Sequence, residues 1–160
     1  MLRSLIYIAV FSAGTFVGGI FPSYSFQYQQ TLDARLHQVA SDLALFQEIS
    51  DRYHNGDLTA LIQYHLDSED PTFHDEGIAI RSMADDRKRL AEASAAFELS
   101  FYEQVLYLYL NGDPELERAT WDTYTPAFVA TEQALLFSVS IGLIFAVGYY
   151  FLSTLVRLLV

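Results

Sequence analysis

Charge is segregated along this chain, and that segregation constrains its fold more than any other feature. All 20 acidic residues lie between Asp33 and Glu132, whereas residues 4–21 and 135–156 carry no charged side chain. Helices over these two stretches would extend about 27 Å and about 33 Å, close to the ~30 Å hydrocarbon thickness of a bilayer. The sequence therefore predicts two transmembrane helices, over residues 4–21 and 135–156.

The first apolar stretch has a second interpretation, which is a cleavable signal peptide. Arg3 supplies the basic residue that precedes such a segment. Against cleavage, the apolar run is longer than usual, and it ends in Gly18-Gly19-Ile20-Phe21-Pro22 instead of a small-x-small site. We therefore expect residues 4–21 to remain as a membrane anchor.

The flanking charges predict an orientation. Arg3 precedes the first stretch and Arg157 follows the second, whereas residues 22–132 contain seven basic and twenty acidic side chains, a net charge of −13. Because basic flanks tend to stay in the cytoplasm, we expect both termini to be cytoplasmic. Residues 22–132 would then form a periplasmic domain of a bacterial inner-membrane protein. The chain has no cysteine, so disulfide chemistry gives no information about the compartment.

The middle segment has a helical pattern, and no part of it alternates like a strand. Apolar residues at steps of three and four predict one long helix over residues 29–53, and a second is predicted over residues 73–99, after the break at Pro71. The first of these helices should bury a narrow seam formed by Leu32, Leu36, Val39, Leu43, Phe46, Ile49 and Tyr53. The expected fold is therefore all-α, with two transmembrane helices flanking an acidic, antiparallel, hairpin-like helical domain over residues 22–132.

Local turn chemistry predicts shorter helices within this domain. Gly56 suits the position after a helix end, and Asp57 can cap a helix over residues 58–66. Asp113 and Pro114 have the residue types favoured at the start of another helix. The apolar run over residues 101–110 is too short to span a bilayer. It could be a buried core helix, a helix lying among lipid headgroups or a partner-binding face, and the sequence does not choose between these.

Small residues recur at helical spacing in both apolar stretches. Gly14 and Gly18 lie four apart in the first, and Ser138, Gly142 and Ala146 follow the same spacing in the second. Small residues allow membrane helices to approach closely. The two stretches would then pack on each other or on the helices of a partner, although such residues are also common in membrane helices that make no contact.

The histidines are the first candidates for a metal site. Asp33 and His37 share one helical face, and His65 and His74 lie close to the acidic turn over residues 67–70. The pattern is weak, because the sequence contains no His-Glu-x-x-His, no Cys-x-x-Cys and no acidic calcium loop. A metal-binding or sensing periplasmic domain tethered by two spans is therefore the alternative hypothesis.

No sequence pattern predicts an enzyme. The chain lacks a Gly-x-Ser-x-Gly motif and a phosphate-binding glycine loop, so we expect no catalytic residue and no cofactor. A segment of net charge −13 disfavours nucleic acid. The expected partners are the lipid bilayer and either a membrane protein or a second copy of this chain. The sequence thus favours a non-enzymatic accessory or scaffolding membrane protein.

Several short motifs along the chain resemble those of a known family. They are Phe21-Pro22, Leu32-Asp33-Ala34-Arg35-Leu36, Asp51-Arg52-Tyr53, Gly56-Asp57-Leu58, Asp75-Glu76-Gly77 and Tyr124-Thr125-Pro126. In this order the chain is similar to a family of short bacterial membrane proteins, the domain of unknown function 2937. The resemblance covers nearly the whole chain and implies a two-span proteobacterial inner-membrane protein. It implies no activity, cofactor or catalytic residue.

Overall fold

Helices account for all the regular structure that the chain forms over residues 2–127 and 129–159, which are the residues described by this computed structural model. Six α-helices and no β-strand are present over these residues. The helices are α1 (Leu2–Tyr53), α2 (Leu58–Leu66), α3 (Pro71–Ala96), α4 (Phe101–Asn111), α5 (Pro114–Thr123) and α6 (Glu132–Leu159). The predicted all-α class is therefore confirmed for this part of the chain.

The chain divides into two compact units. The first unit comprises Met1–Tyr28 and Ser100–Val160, and the second comprises Gln29–Leu99. Residues 22–28 and 100–132, which the sequence grouped with the acidic domain, thus cluster with the two apolar helices. The helix α1 contributes its first part to the first unit and its remainder to the second.

Proline 22 does not end the first helix. The sequence predicted separate helices over residues 4–21 and 29–53, whereas α1 runs without interruption from Leu2 to Tyr53 with Pro22 inside it. A proline in a helix interior costs about 3 kcal/mol, because it removes one hydrogen bond and crowds the preceding turn. The side chains of Ser23, Tyr24 and Tyr28, which follow it, are all buried. Their packing offsets the local cost.

In the first unit, α4 and α5 pack against residues 21–28 of α1. The ring of Phe101, at the start of α4, lies 6.1 Å from that of Phe21 between centroids. At the other end of α4, the Asp113 N–H donates a hydrogen bond of 3.1 Å to the hydroxyl of Tyr28. The indole of Trp121, late in α5, then stacks at 4.6 Å on Tyr24. The helix α4 therefore follows α1 from Phe21 towards Tyr28, and α5 returns.

In the second unit, α2 and α3 pack with the remainder of α1. The hydroxyl of Ser94, near the end of α3, donates a 3.1 Å hydrogen bond to Asp33. The end of α3 therefore lies beside the start of this stretch of α1. The buried apolar side chains of the second unit are Leu32, Val39, Leu43, Leu61, Ile62, Ile80, Leu90, Ala93 and Phe97.

One predicted member of the seam on α1 is wrong. Tyr53 exposes 74% of its surface, because α1 ends at this residue and the chain turns away. Asn55 and Gly56 make that turn with φ angles of 55° and 81°, and the second of these is the conformation that glycine adopts most easily. The seam therefore ends before Tyr53.

Aspartate side chains start the shorter helices as predicted. Asp57 accepts a 2.9 Å hydrogen bond from the Thr59 N–H at the start of α2. Asp113 accepts one of 2.8 Å from the Glu115 N–H at the start of α5, with Pro114 in the first turn. Each cap satisfies a backbone donor that the first helical turn cannot satisfy itself.

Candidate functional site

The helices α1 and α6 are in close contact where both carry small residues. A Cβ atom on Gly14 would lie 2.8 Å from the Cβ of Phe145 and 3.0 Å from the Cα of Gly142. One on Gly18 would lie 3.0 Å from the Cα of Ser138. Backbones at this distance exclude even an alanine without a shift. The structure thus brings together Gly14, Gly18, Ser138 and Gly142, while Ala146, one turn further along α6, is half-buried.

Large apolar side chains lie on the outside of this helix pair. Phe16 exposes 75% of its surface and Phe151 exposes 67%, and Ile8, Ile144, Leu152 and Leu155 are also more than half exposed. Both helices are long and apolar enough to cross a membrane. A pair of helices with small residues inside and large apolar residues outside is typical of packing within lipid, where burial from water does not drive association.

Beside the glycine contact lies a half-open cavity of about 580 Å³, which we call the lateral groove. Its apolar walls come from Phe11, Phe16 and Ile20 on α1 and from Leu135 and Val139 on α6. Gly19 leaves room in it, because a Cβ atom there would meet only the hydroxyl of Ser138, at 3.7 Å. No residue that lines the groove within the described part of the chain carries a charge.

Residues 124–127, which we call the closing loop, cover one end of the lateral groove. The Gln27 side chain donates a 2.6 Å hydrogen bond to the Thr125 carbonyl and accepts one of 3.0 Å from the Thr125 N–H. The hydroxyl of Ser23 accepts a 3.0 Å hydrogen bond from the Ala127 N–H. The loop is therefore fixed to α1 at two positions one turn apart.

Two hydroxyl groups that line the lateral groove, those of Thr15 and Ser138, donate hydrogen bonds to their own helices. Thr15 donates a 2.9 Å hydrogen bond to the Phe11 carbonyl, and Ser138 donates one of 2.7 Å to the Ala134 carbonyl. Neither hydroxyl has a histidine or carboxylate among the lining residues to act as a base. The groove is therefore suited to an apolar occupant and lacks the groups that covalent chemistry needs.

Aromatic side chains flank the closing loop. Trp121 lies 4.6 Å from the Tyr24 ring and 5.2 Å from the Tyr124 ring between centroids. Burial raises the pKa of the Tyr24 hydroxyl to about 12, and the nearby carboxylate of Glu117 adds to the shift. Tyr24 thus stays neutral across the physiological pH range. Such rings are favoured at a membrane–water boundary, since they join an apolar body to a polar tip.

The helix α4 has one packed face and one bare face. Phe101 and Leu108 are buried, whereas Tyr102, Leu106, Tyr109 and Leu110 are each more than half exposed. These four residues follow the spacing i, i+4, i+7 and i+8, so they form a single apolar stripe along the helix, which we call the α4 stripe. The segment over residues 101–110 is therefore not a fully buried core helix.

The candidate metal ligands do not converge. Asp33 accepts the hydrogen bond from Ser94, and His37 is exposed. The Nδ1 atom of His65 lies 2.9 Å from the Leu61 carbonyl, and that of His74 lies 2.7 Å from the Leu66 carbonyl. Over residues 2–127 and 129–159, no three His, Asp or Glu side chains lie together in a group that could hold a metal ion.

His65 instead takes part in the contact between α2 and α3. Its Nε2 atom lies 3.5 Å from the Glu76 carboxylate, and its ring lies 5.7 Å from that of Phe73. Gly77 permits this contact, because a Cβ atom there would lie 2.9 Å from the Leu66 backbone nitrogen. The pairing of His65 with Glu76 is a packing contact between helices that the sequence did not identify.

Sequence reasoning also missed the lateral groove and its closing loop. Gly19, Ser23 and Gln27 follow Gly14 and Gly18 along α1, and Gly19 lies outside the four-residue repeat that those two glycines form. In the sequence, the groove was indicated only by Gly19, a glycine in an apolar helix that the repeat of Gly14 and Gly18 does not explain.

Comparison with known proteins gives a family and nothing more specific. No curated protein and no solved structure matches this chain. A family model matches nearly its whole length, as the short motifs along the sequence had indicated. The chain belongs to the family described as a protein of unknown function (DUF2937), whose model matches residues 2–160.

Proposed function

We propose that this protein is a non-enzymatic accessory or scaffolding protein of a membrane, anchored by residues 4–21 and 135–156. In this proposal it associates with a larger membrane complex or with a second copy of itself. The α4 stripe is the observation that carries the proposal. An exposed apolar patch marks an interaction surface, and an apolar stripe along a helix is suited to a groove on a partner.

The position of α4 within the first unit supports this role. Phe101 packs between Phe21, at the end of the first apolar stretch, and Phe137, near the start of the second, with centroid distances of 6.1 Å and 5.3 Å. The stripe therefore begins at the same end of the helix pair as the closing loop. A partner that is itself embedded in the bilayer could contact the stripe and the apolar helices together.

The proposed setting is a bacterial inner membrane with both termini in the cytoplasm and residues 22–132 in the periplasm. The support is the charge pattern, with Arg3 and Arg157 outside the two apolar stretches and a net charge of −13 between them. A reporter fused after Val160 should be active in the cytoplasm, and one inserted near Ser68 should be active only outside it. The reverse pattern would overturn this orientation.

The docking proposal is tested by the mass and composition of the particle extracted in a mild detergent. We expect the unmodified chain to migrate as a larger particle that contains a partner protein or a second copy. Leu106→Glu, which places a charge in the α4 stripe, should reduce that particle to a single chain.

Leu45→Glu is the matched control. Leu45 exposes 65% of its surface and Leu106 exposes 56%, but Leu45 lies in the second unit. This control should leave the particle unchanged. Equal mass for both variants, or an unmodified chain that is already single, would contradict the proposal.

The metal-binding alternative has no comparable observation behind it, since the ring nitrogens of His65 and His74 already lie beside backbone carbonyls. Replacing His37, His65 and His74 together tests it. Loss of a cellular phenotype with the helical fold intact would favour that alternative over docking through α4.

A further inference from the structure

We infer that the lateral groove holds one acyl chain of a phospholipid with a zwitterionic headgroup, bound as a structural ligand. The inference rests on the proposed placement of α1 and α6 in a bilayer. It goes beyond that proposal by assigning a specific lipid site on one side of the helix pair.

The length of the groove matches the depth of one leaflet. Its lining on α1 extends from Phe11 to Ser23, which corresponds to about 18 Å of helix. One leaflet of a bilayer contributes about half of the ~30 Å hydrocarbon thickness. The groove volume of about 580 Å³ lies within the range of about 300–1,000 Å³ that small-ligand sites occupy. A single extended chain therefore matches the groove in length, and the groove has the volume of a ligand site.

The closing loop favours a lipid over a partner helix. A helix with its side chains is about 10–12 Å wide, and a transmembrane partner must continue past both ends of the groove. Tyr124 and Pro126 line the end of the groove beside Ser23, where hydrogen bonds fix the loop to α1. An acyl chain does not have to continue past the loop, because it can end inside the groove and its headgroup can leave through the open side.

The charges near the closing loop favour a headgroup without net negative charge. Anionic headgroups are usually held by clusters of Lys and Arg, and no residue lining the groove is basic. The loop is flanked along the chain by Asp122 and Glu132, within a segment of net charge −13. An ammonium-bearing zwitterionic headgroup is compatible with this surrounding, whereas an anionic one is repelled.

The test is the amount of phospholipid that remains bound to the full-length chain in a mild detergent, measured by native mass spectrometry. Gly19→Leu fills the groove, and the space around Gly19 accommodates the new side chain. Gly148→Leu is the matched control, because a Cβ atom on Gly148 would meet nothing within 4 Å. We expect one phospholipid on the unmodified chain and on the control, and at least about tenfold lower occupancy in Gly19→Leu.

A second variant guards against misfolding of the first. Val139→Phe narrows the groove from the opposite wall, on α6, and should also lower the occupancy while keeping the helical circular dichroism spectrum of the control. Equal lipid content in all four proteins would overturn the inference. Loss of lipid from the Gly148→Leu control as well would overturn it too, since binding would then not be specific to the groove.

Rebinding to the delipidated chain identifies the headgroup. Phosphatidylethanolamine should restore the bound species, and phosphatidylglycerol at the same concentration should do so several-fold less. A preference for phosphatidylglycerol, or a protein chain found in the groove by cross-linking at Val139→Cys, would overturn the assignment. The docking proposal is tested separately, by the mass of the particle that the Leu106→Glu variant forms in the presence of the same lipids. Either proposal can therefore fail without the other.

Discussion

The contact between α1 and α6 in the first unit leaves large apolar side chains on the outside, whereas the second unit buries them. In the second unit Leu32 and Ile80 are completely buried, and most charged residues are exposed. In the first unit the close helix contact is made by Gly14 and Gly142, and Phe16 lies outside with 75% of its surface exposed. One sequence therefore follows two packing rules, one in the contact between α1 and α6 and the other in the second unit.

The proposed placement of α1 and α6 in a bilayer accounts for this difference. Burial of apolar surface away from water is the main favourable term in the folding of a water-soluble domain. Two helices already in an apolar solvent gain little from such burial and associate through close van der Waals contact between small residues. Removal of a buried apolar group should therefore destabilise the second unit, whereas addition of a methyl group at the contact between α1 and α6 should destabilise the first.

The largest effect is expected from a cavity in the second unit. Ile80→Ala removes a fully buried side chain and should lower the free energy of unfolding by about 2–5 kcal/mol. Ile78→Ala, on the same helix but 52% exposed, should change it by less than about 0.5 kcal/mol. Denaturant unfolding of the chain in mild detergent, followed by circular dichroism, measures both. Similar losses would mean that α3 buries a different face.

The next effect comes from adding a methyl group in the first unit. Gly14→Ala places a Cβ atom 2.8 Å from that of Phe145 and should cost about 1–3 kcal/mol through forced separation of α1 and α6. Gly148→Ala places one in open space and should be neutral or slightly stabilising. The comparison is made by thermal unfolding in the same detergent. A matching loss at Gly148 would show that helix flexibility, and not contact, accounts for the glycines.

Helix capping should contribute equally to the stability of both units, because it satisfies backbone N–H groups and does not depend on the burial of side chains. Asp57→Ala in the second unit and Asp113→Ala in the first should each cost about 1 kcal/mol. Replacement by asparagine, which keeps the accepting oxygen, should recover most of that loss at either position. A large difference between the two alanine variants would mean that one of these helices is held by its packing alone.

The smallest effect is a pH dependence at the start of α4. The hydroxyl and the N–H of Ser100 both donate to the Glu103 carboxylate, at 2.7 Å and 3.0 Å, and these hydrogen bonds lower its pKa. Because the folded pKa lies below the unfolded one, the stabilisation is present above about pH 5 and is lost as the pH falls below about 4. The difference in free energy of unfolding between the unmodified chain and Glu103→Gln should therefore become smaller as the pH is lowered from about 5 to below about 4. A difference independent of pH would exclude the carboxylate as its origin.

Local patterns predicted most helix positions but not the contacts between them. The short helix α2 and the caps at Asp57 and Asp113 were predicted from adjacent residues, because capping depends on groups two or three positions away. The continuity of α1 through Pro22 was not predicted, since the buried side chains that offset the proline pack against residues about 80–100 positions further along the chain. The same limit applies to the exposed end of the seam at Tyr53.

The lateral groove illustrates this limit most clearly. The small residues at Gly14, Gly18, Ser138 and Gly142 could be recognised by their spacing, but the spacing did not say whether they meet each other or a partner. The closing loop depends on hydrogen bonds between residues 98 and 104 positions apart. No pattern within a single helix contains that information.

The hydrogen bonds of the closing loop also determine which of its backbone N–H groups need water as a hydrogen-bond partner. The Tyr124 N–H donates to the Trp121 carbonyl, the Thr125 N–H to Gln27 and the Ala127 N–H to Ser23, whereas Pro126 has no N–H to satisfy. Every backbone donor of residues 124–127 is therefore accounted for within the protein. Non-helical backbone normally stays out of a hydrocarbon layer because its donors would be left dehydrated. The N–H groups of residues 124–127 therefore need no hydrogen bond from water, so the conformation of this loop does not depend on solvent reaching them.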